Sequence, residues 1–527
     1  MILAACATLL PGYLVYSQTM AFHWDEGFHL LAAHLINAGR KPYIDFCFPQ
    51  APLNAYWNAA WMRIFGDSWR ATHVIAALLA LGAAALIARF LFARFPDAGW
   101  RFSAALSAVL LFTLNMLVLQ FGAIAQAYAF SMFTIAAALL ASAAAVERER
   151  WGMAAIAGFF AGAAVSGTLL AAATGPVFLV WILIYSQRGS RLKKFAGFAV
   201  GALVAFAPII FLFAKGSRQT WFNLVQYHAA YRRVDWPGAT VHDVDILTSW
   251  VNHSQGLILS LLALAGVLFL WRGSSRGSSR GSSLATVDLA VTWDRAERAP
   301  FTLCVWLMLA VSIQNGFAHP TFPQYFIPMI PAATILATLG LYRLAMRLEV
   351  LERPAKLIGG LALIFLLGTV RGMFENRDDF TWRKVERAAQ KVEEVTPKGA
   401  TLLGAEQIYF LTHRPPPEGM EFAFSHKLDF GPERNALLHI LPHKELERRI
   451  SERAYFTDAV CDDSDEVDRV DGLSIYAQKV DLGECTIFWS FKPAAAPGSP
   501  QVTPSLKGTA PQPVPEASHA HASTGGK

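Results

Sequence analysis

The sequence has little charge for its length. Only 16% of its 527 residues are Asp, Glu, Lys or Arg, whereas soluble domains carry about 25%. Its five cysteines are too few for a disulfide framework, and Cys6, Cys47 and Cys304 lack the spacing of a metal site. Hydrophobic residues reach 54% before glycine is counted. The composition therefore excludes an all-soluble or disordered protein and predicts a membrane protein.

Long apolar stretches dominate the first two thirds of the chain. About eleven of them are long enough, or nearly so, to cross ~30 Å of hydrocarbon as a helix. They cover residues 2–20, 71–93, 102–119, 123–146, 152–168, 169–186, 195–214, 256–271, 301–316, 323–341 and 356–371. Residues 1–20 lack the basic segment and cleavage site of a secretory signal, so we interpret them as the first span. The expected fold is mainly α, a polytopic transmembrane helix bundle.

The distribution of basic residues predicts an orientation. If residues 21–70 lie outside, the inside loops up to residue 371 carry eighteen Lys and Arg and the outside loops nine, as the positive-inside rule favours. The expected location is the cell inner membrane, with the first loop and the C-terminal part on the outer, periplasmic side. Residues 1–372 hold 27 basic and 15 acidic residues, and residues 373–527 hold 18 and 24. The basic excess belongs to the membrane body and faces membrane lipids, so nucleic acid is excluded as a partner.

The composition changes after residue 372. Residues 373–491 alternate a helix-like stretch, Trp382–Val395, with short strand-like ones at 401–404, 474–478 and 486–491. They predict a small C-terminal α/β extracytoplasmic domain of about 120 residues, large enough for its own core. Its Cys461 and Cys485 are either a disulfide or two free thiols. Residues 492–527, rich in Pro, Ala, Ser and Thr, predict a disordered tail.

The loop between the first two spans carries two adjacent carboxylates, Asp25 and Glu26. Carboxylates at the mouth of a membrane helix are costly to desolvate, so they are either solvated without a role or retained for a site. A carboxylate there can act as the general base for an alcohol nucleophile or as a ligand for a cation. Two amphipathic stretches follow, and in the second Trp57, Trp61 and Phe65 share one helical face. This face favours a helix lying in the membrane interface, packing on the bundle, or both.

The loop resembles that of the GT-C class of membrane glycosyltransferases, in particular the protein O-mannosyltransferases and the lipid A aminoarabinose transferase of families 39 and 83. The likeness covers roughly residues 1–350 in architecture. Its specific motif lies within residues 23–70, and the segment 319–328 is similar to the family's outer loop before a late span. The matching residues are Asp25-Glu26, Gly39, Tyr43-x-Asp45-Phe46, Pro52-Leu53 and Phe65-Gly66.

The resemblance implies a polyprenyl-phosphate-linked sugar donor and a hydroxyl acceptor on a lipid, glycan or protein. In this interpretation Asp25 is the catalytic base of an inverting transfer, and Glu26 binds hydroxyls or orients neighbouring groups. No cofactor is expected, and the residues do not support a divalent metal.

The leaving phosphate needs cationic or hydrogen-bonding partners. The outer-loop candidates for binding the donor phosphate or sugar are Arg232, Arg233, His228, His319, Tyr325 and Arg70. For Arg232 and Arg233 the alternative is contact with lipid headgroups. For His319 it is a structural role in a turn. Arg70 has a further alternative, pairing with Asp25 or Glu26.

One stretch departs from the family. Many relatives carry charged residues between the third and fourth spans, where this chain has Gln120 and Gln126. A glutamine cannot act as base or counter-charge. Asp45 is the nearest alternative carboxylate, and helix capping or a turn explains it equally well. The glutamines also admit an enzyme-like scaffold that has lost activity. The rival function is a multi-span transporter or lipid-sugar flippase. That class places charges near mid-membrane, whereas these spans are nearly free of acidic residues.

Overall fold

The computed structural model describes residues 2–232, 238–249, 253–275, 295–377, 380–461 and 470–493. Arg233 and the tail from residue 494 lie outside this part of the chain. The fold is mainly helical, with one small sheet near the C-terminus. The helices up to residue 215 are α1 Ile2–Thr19, α2 Glu26–Asn37, α3 Leu53–Phe65, α4 Trp69–Arg94, α5 Arg101–Thr113, α6 Met116–Gly122, α7 Ala127–Glu147, α8 Trp151–Gly167, α9 Thr174–Tyr185 and α10 Arg191–Lys215.

The second half adds the helices α11 Ser217–Trp221, α12 Ala239–Ser249, α13 Ser254–Ser275, α14 Arg295–Gly316, α15 Ile330–Arg347, α16 Pro354–Glu375, α17 Trp382–Val395, α18 Glu406–Thr412, α19 Pro432–Leu438 and α20 His443–Ser451. A π-helix covers Phe222–Tyr231, and a 3-10 helix covers Pro323–Met329.

Within the described residues, seven helices are long and apolar enough to cross a membrane. A bent pair, Ala98–Thr113 with Met116–Gly122, makes an eighth if it is one span. Two shorter apolar helices, Trp151–Gly167 and Leu169–Tyr185, and α1 also coincide with predicted stretches. The protein is therefore a multi-pass membrane protein, and the number eleven stays a prediction.

The bend of 65° between α5 and α6 is held by a buried glutamine. The amide of Gln255 donates to the carbonyl of Leu114, and its oxygen accepts the N–H of Met116. Backbone groups freed inside a membrane need such partners, because no water is there to replace them. The bend leads into the segment 123–126, which meets the first outer loop.

Helices α8 and α10 pack closely through paired glycines. Gly158 and Gly162 on α8 and Gly197 and Gly201 on α10 are each four residues apart, the small-residue spacing of close transmembrane packing. A Cβ on Gly201 would lie 1.9 Å from the carbonyl oxygen of Ala155. The contact therefore requires glycine.

The first outer loop forms α2 and α3 where the amphipathic stretches were expected. Trp57 packs on Phe130 of the bundle with ring centres 5.5 Å apart, whereas Phe65 is largely exposed. Packing on the bundle thus accounts for one end of the apolar face. A position in the membrane interface stays a prediction for the other end.

The C-terminal region forms a four-stranded sheet from β1 Leu402–Gly404, β2 Thr457–Cys461, β3 Tyr476–Asp481 and β4 Cys485–Phe491, in the order β1-β2-β4-β3. β1 and β2 are parallel, and the other pairs are antiparallel. Helix α17 buries Trp382, Val385, Ala389 and Val392, one face of the helix. Cys461 and Cys485 are opposite each other in the sheet and form a disulfide. Strand β2 was missed by the sequence pattern.

Met1–Phe491 forms one compact unit. A boundary at residue 372 stays a prediction, as does the disorder of residues 492–527. Apolar side chains of the outer loop and of the C-terminal region share one buried cluster, which includes Phe28, Trp69, Trp382 and Tyr409.

Replacing Gly201 with Leu is expected to lower the free energy of unfolding by about 3 kcal/mol, because the new side chain meets backbone that cannot move aside. Thermal unfolding of the purified chain in detergent measures the effect. Gly360→Leu is the matched control, since a Cβ there meets nothing within 4 Å. Equal melting temperatures for the two variants would contradict this account of α8–α10 packing.

Candidate active site

Asp25 directly precedes α2, and its side chain is 44% exposed. Its backbone N–H donates to Nδ1 of His23 at 3.3 Å, and the amide of Gln126 donates to the same nitrogen at 3.0 Å. Nδ1 of His23 therefore acts as an acceptor. The carboxylate of Asp25 accepts no hydrogen bond from the described residues and lies 3.9 Å from Nδ1 of His23. It is available to a substrate.

Glu26, the next residue, is fully buried and fully hydrogen-bonded. Its Oε1 meets Nε2 of His73 at 2.6 Å and accepts the backbone N–H of Ala125 at 2.7 Å. Its Oε2 accepts the indole N–H of Trp382 at 3.0 Å. One carboxylate thus joins α2, α4, the segment after α6, and α17.

His73, the partner of Glu26, is also hydrogen-bonded through its other ring nitrogen. Nδ1 of His73 lies 2.6 Å from the carbonyl oxygen of Ser17. A carbonyl only accepts, so Nδ1 carries a proton. A second proton then lies between Nε2 and Glu26, shared by a carboxylate and an imidazolium or by their neutral forms. Either arrangement satisfies both buried groups.

The C-terminal region also holds the backbone around Asp25. Gln407 donates to the carbonyl of Trp24 at 2.7 Å, and the Trp24 ring stacks on Phe380 with centres 4.5 Å apart. Gly27 allows this approach, because a Cβ there would lie 2.4 Å from the side chain of Gln407. Residues on both sides of Asp25 are therefore fixed.

Arg232 ends the π-helix. π-helical turns are rare and occur often at functional sites. Here the N–H of Arg232 reaches the carbonyl of Tyr227, five residues back. The guanidinium carbon lies 5.0 Å from the ring centre of Tyr325 and 5.9 Å from that of Phe322. Arg232 forms no ion pair within the described ranges, so its N–H groups are available to an anion.

The surroundings of Arg232 connect it to Asp25. Burial lowers the pKa of Arg232, and Tyr227, Asp25, Tyr128 and Asp243 act in the opposite direction. Arginine stays charged despite such a shift. The structure therefore brings a cation and the exposed carboxylate of Asp25 within electrostatic reach of each other.

His228 fastens the π-helix to the first outer loop. Its Nε2 donates to the carbonyl of Pro49 at 2.8 Å. Burial and then the charge of Arg232 lower the pKa of His228 to about 4, although the bond to Pro49 opposes them. The side chain is neutral near pH 7 and supplies no positive charge. Asn223 adds a second attachment, accepting the N–H of Phe48 at 2.9 Å.

His319 is paired with Asp243 of α12. Burial raises the pKa of Asp243, but hydrogen bonds from His319 and from the N–H of Thr321 outweigh it and bring that pKa below its usual value. The backbone carbonyl of Tyr325 accepts from Asn315 at 2.6 Å. These bonds fix the loop that carries Tyr325 under Arg232.

Arg70 pairs with neither Asp25 nor Glu26, so that suggested pairing is wrong. Its guanidinium donates to both oxygens of Glu386, at 2.5 and 3.0 Å, and lies over the ring of Trp69. Glu386 is 316 residues away in sequence and therefore could not be recognised as a partner.

Three residues of this site were missed by the sequence analysis. His73 was detectable, because an ionisable residue inside a span suggests a functional or paired group. Asp243 is an outer-loop acid without a motif. Trp382 gave no signal, since its contact with Glu26 spans 356 residues. Within the described ranges, Asp25, Glu26 and Asp243 belong to no group of three metal-ligating side chains.

Two solved structures of one protein show the same fold. ArnT from Cupriavidus metallidurans matches with a TM-score of 0.63 in the apo state and 0.62 bound to undecaprenyl phosphate. In both, the identity is 14%, over 92% of this chain and 97% of ArnT. An oligosaccharyltransferase from Archaeoglobus fulgidus, in complex with Zn and sulfate, matches with a TM-score of 0.43 and 13% identity over 91% of this chain and 71% of that one.

No protein-family model matches the sequence, and no curated protein matches it. At 14% identity the two ArnT structures establish a shared fold. The resemblance to the GT-C class is thereby confirmed at the level of the fold.

Glu26→Gln is expected to lower the free energy of unfolding by about 3 kcal/mol, because an amide cannot accept all three hydrogen bonds and leaves buried donors unpaired. Unfolding in mixed micelles measures the loss. Glu375→Gln is the control, since Glu375 pairs with Arg371 on an exposed helix face and should change stability by less than about 1 kcal/mol. A loss no larger than that of the control would refute the importance of the buried network.

Proposed function

We propose that this protein is a glycosyltransferase that moves a sugar from a polyprenyl-phosphate-linked donor to a hydroxyl of a lipid, glycan or protein. The observation that carries the proposal is the exposed carboxylate of Asp25 within electrostatic reach of the ring-stacked Arg232. It is supported by the shared fold of ArnT, which was solved with undecaprenyl phosphate bound.

Asp25 acts as the general base in this proposal. The acceptor hydroxyl gives its proton to the carboxylate while its oxygen bonds to the anomeric carbon of the donor sugar. The bond from that carbon to the phosphate oxygen breaks, polyprenyl phosphate leaves, and the anomeric configuration inverts. A carboxylate that is exposed and free of hydrogen bonds from the described residues suits this role, because it has an oxygen available to the incoming hydroxyl.

Arg232 stabilises the leaving phosphate. Negative charge on the phosphate grows as the sugar departs, and a fixed cation at that position lowers the barrier. The rings of Tyr325 and Phe322 hold the guanidinium without occupying its N–H groups. A planar guanidinium also matches two phosphate oxygens at once.

Glu26 is a positioning residue in this scheme. It lies next to the base in sequence, and its three hydrogen bonds fix the start of α2 against the bundle and α17. Both of its oxygens are already engaged, which favours orientation of the site over direct binding of acceptor hydroxyls.

The site belongs on the outer side of the inner membrane in this proposal. The positive-inside distribution of Lys and Arg supports it, as does the contact of the first outer loop with the C-terminal region. The disulfide between Cys461 and Cys485 also fits an oxidising compartment.

Asp25→Asn is expected to reduce transfer at least about 100-fold, because an amide cannot take the acceptor proton. Purified protein is given radiolabelled undecaprenyl-phosphate-linked sugars, and label is counted in envelope lipids and proteins. The melting temperature of Asp25→Asn should equal that of the wild type, since the carboxylate of Asp25 accepts no hydrogen bond from the described residues.

Asp45→Asn is the matched variant. Asp45 accepts the N–H of Lys41 at 2.7 Å and closes a turn, so this change should spare transfer. Full transfer by Asp25→Asn would refute the base assignment. Absence of transfer by the wild type, with movement of labelled lipid across vesicles, would instead support the flippase alternative.

Arg232→Gln is expected to weaken undecaprenyl phosphate binding by about 10- to 100-fold, the equivalent of one charge-assisted hydrogen bond. Native mass spectrometry or a thermal shift in detergent measures the affinity. The affinity of Arg232→Lys should lie between those of the wild type and Arg232→Gln, because lysine keeps the charge and loses the planar fork of the guanidinium. Arg218→Gln, a change of the exposed arginine at 218, serves as control, and an equal loss there would contradict the assignment.

A further inference from the structure

A second group of polar side chains lies away from Asp25. His34, Asp67 and His413 each offer one ligand atom, and these atoms all lie within 4.8 Å of one another. Nδ1 of His34 is 2.7 Å from Oδ2 of Asp67, and the two imidazole rings have centres 5.4 Å apart. We refer to these residues as the His34–Asp67–His413 cluster.

Three separate segments contribute to the cluster. His34 lies in the last turn of α2, Asp67 lies between α3 and α4, and His413 ends α18. His413 has a left-handed backbone, with φ of 51°, where glycine is the usual residue.

Helices α2 and α18 run parallel, as their contacts at both ends show. Near their N-terminal ends Gly27 meets Gln407, and near their C-terminal ends the ring of His34 meets that of His413. The first contact holds the backbone beside Asp25. The His34–Asp67–His413 cluster is therefore the second contact between α2 and α18.

The donor set matches zinc. Two imidazoles and a carboxylate are a common ligand set for Zn²⁺, with a water in the fourth position. Ligand atoms of a tetrahedral zinc lie about 3.3 Å apart, so the cluster reaches that geometry by movements of about 1.5 Å or less. His413 is exposed and gives the ion an entry path, whereas His34 and Asp67 are 24% and 25% exposed.

The cluster is not used by the proposed transfer reaction. His34 lies nine positions after Asp25 along α2, about 13 Å at 1.5 Å per residue. The imidazole of His413 forms no hydrogen bond with the described part of the chain, and the hydrogen bond between His34 and Asp67 does not involve it. A ligand for all three side chains would explain why they converge.

We propose that His34, Asp67 and His413 bind a zinc ion that fastens the C-terminal region to the first outer loop. The ion joins α18 to α2 and to the start of α4. Its effect is on stability and on the alignment of α2, and it takes no part in proton transfer. The proposal does not depend on the transferase reaction.

The test uses the full-length chain in detergent, stripped with a chelator and dialysed. Zinc alone is added, and bound metal is measured by mass spectrometry and by competition with a chromophoric chelator. The wild type is expected to bind one equivalent and to melt at a higher temperature with zinc. His413→Asn, which keeps a residue that tolerates the left-handed backbone, should lose at least about tenfold in affinity and most of the thermal shift.

His443→Asn is the matched control, because His443 belongs to the same region, lies outside the cluster and has a side chain that is 39% exposed. It should bind zinc as the wild type does. If His413→Asn folds poorly, Asp67→Asn tests the same site independently and should also lose zinc affinity. The proposal is overturned if the wild type binds no stoichiometric zinc, or if the His413 and Asp67 variants bind it as tightly as the control.

Discussion

A single buried carboxylate, that of Glu26, organises the structure around the candidate site. It holds a histidine of one span, a backbone amide after a broken helix, and an indole from the C-terminal region. A buried acid is costly unless every lone pair facing a donor is used. Each of these elements is therefore constrained to meet Glu26, and the position of α2 follows from that requirement.

The bent pair α5 and α6 contributes to the same constraint. The segment after α6 supplies Ala125, whose N–H donates to Glu26 and whose carbonyl accepts from Asn54 and Asn58 of α3. A straight helix would have its backbone groups bonded within itself and would offer neither. The break between α6 and α7 thus makes a polar segment available where the outer loop needs one.

The sequence predicted what depends on local pattern and missed what depends on distant contacts. Hydropathy located the helices of the bundle, and the position of Asp25 and Glu26 outside a span identified the carboxylates. Their different environments were not predictable, because His73 and Trp382 lie 47 and 356 residues from Glu26. The partner of Arg70 was not predicted for the same reason, and strand β2 was missed although strands of similar length were predicted.

Asp25 and Glu26 are both carboxylates, but one is exposed and the other is buried. The proposed site needs both environments. In the proposed reaction the base needs a free oxygen for the incoming hydroxyl, and the carboxylate of Asp25 accepts no hydrogen bond from the described residues. Its position must then come from the backbone, and the adjacent residue is the most direct source of rigidity. Glu26, buried with both carboxylate oxygens hydrogen-bonded, holds the start of α2, while the side chain of Asp25 stays exposed. Exchanging the two environments would leave a rigid carboxylate without access to substrate and an accessible one without a fixed position.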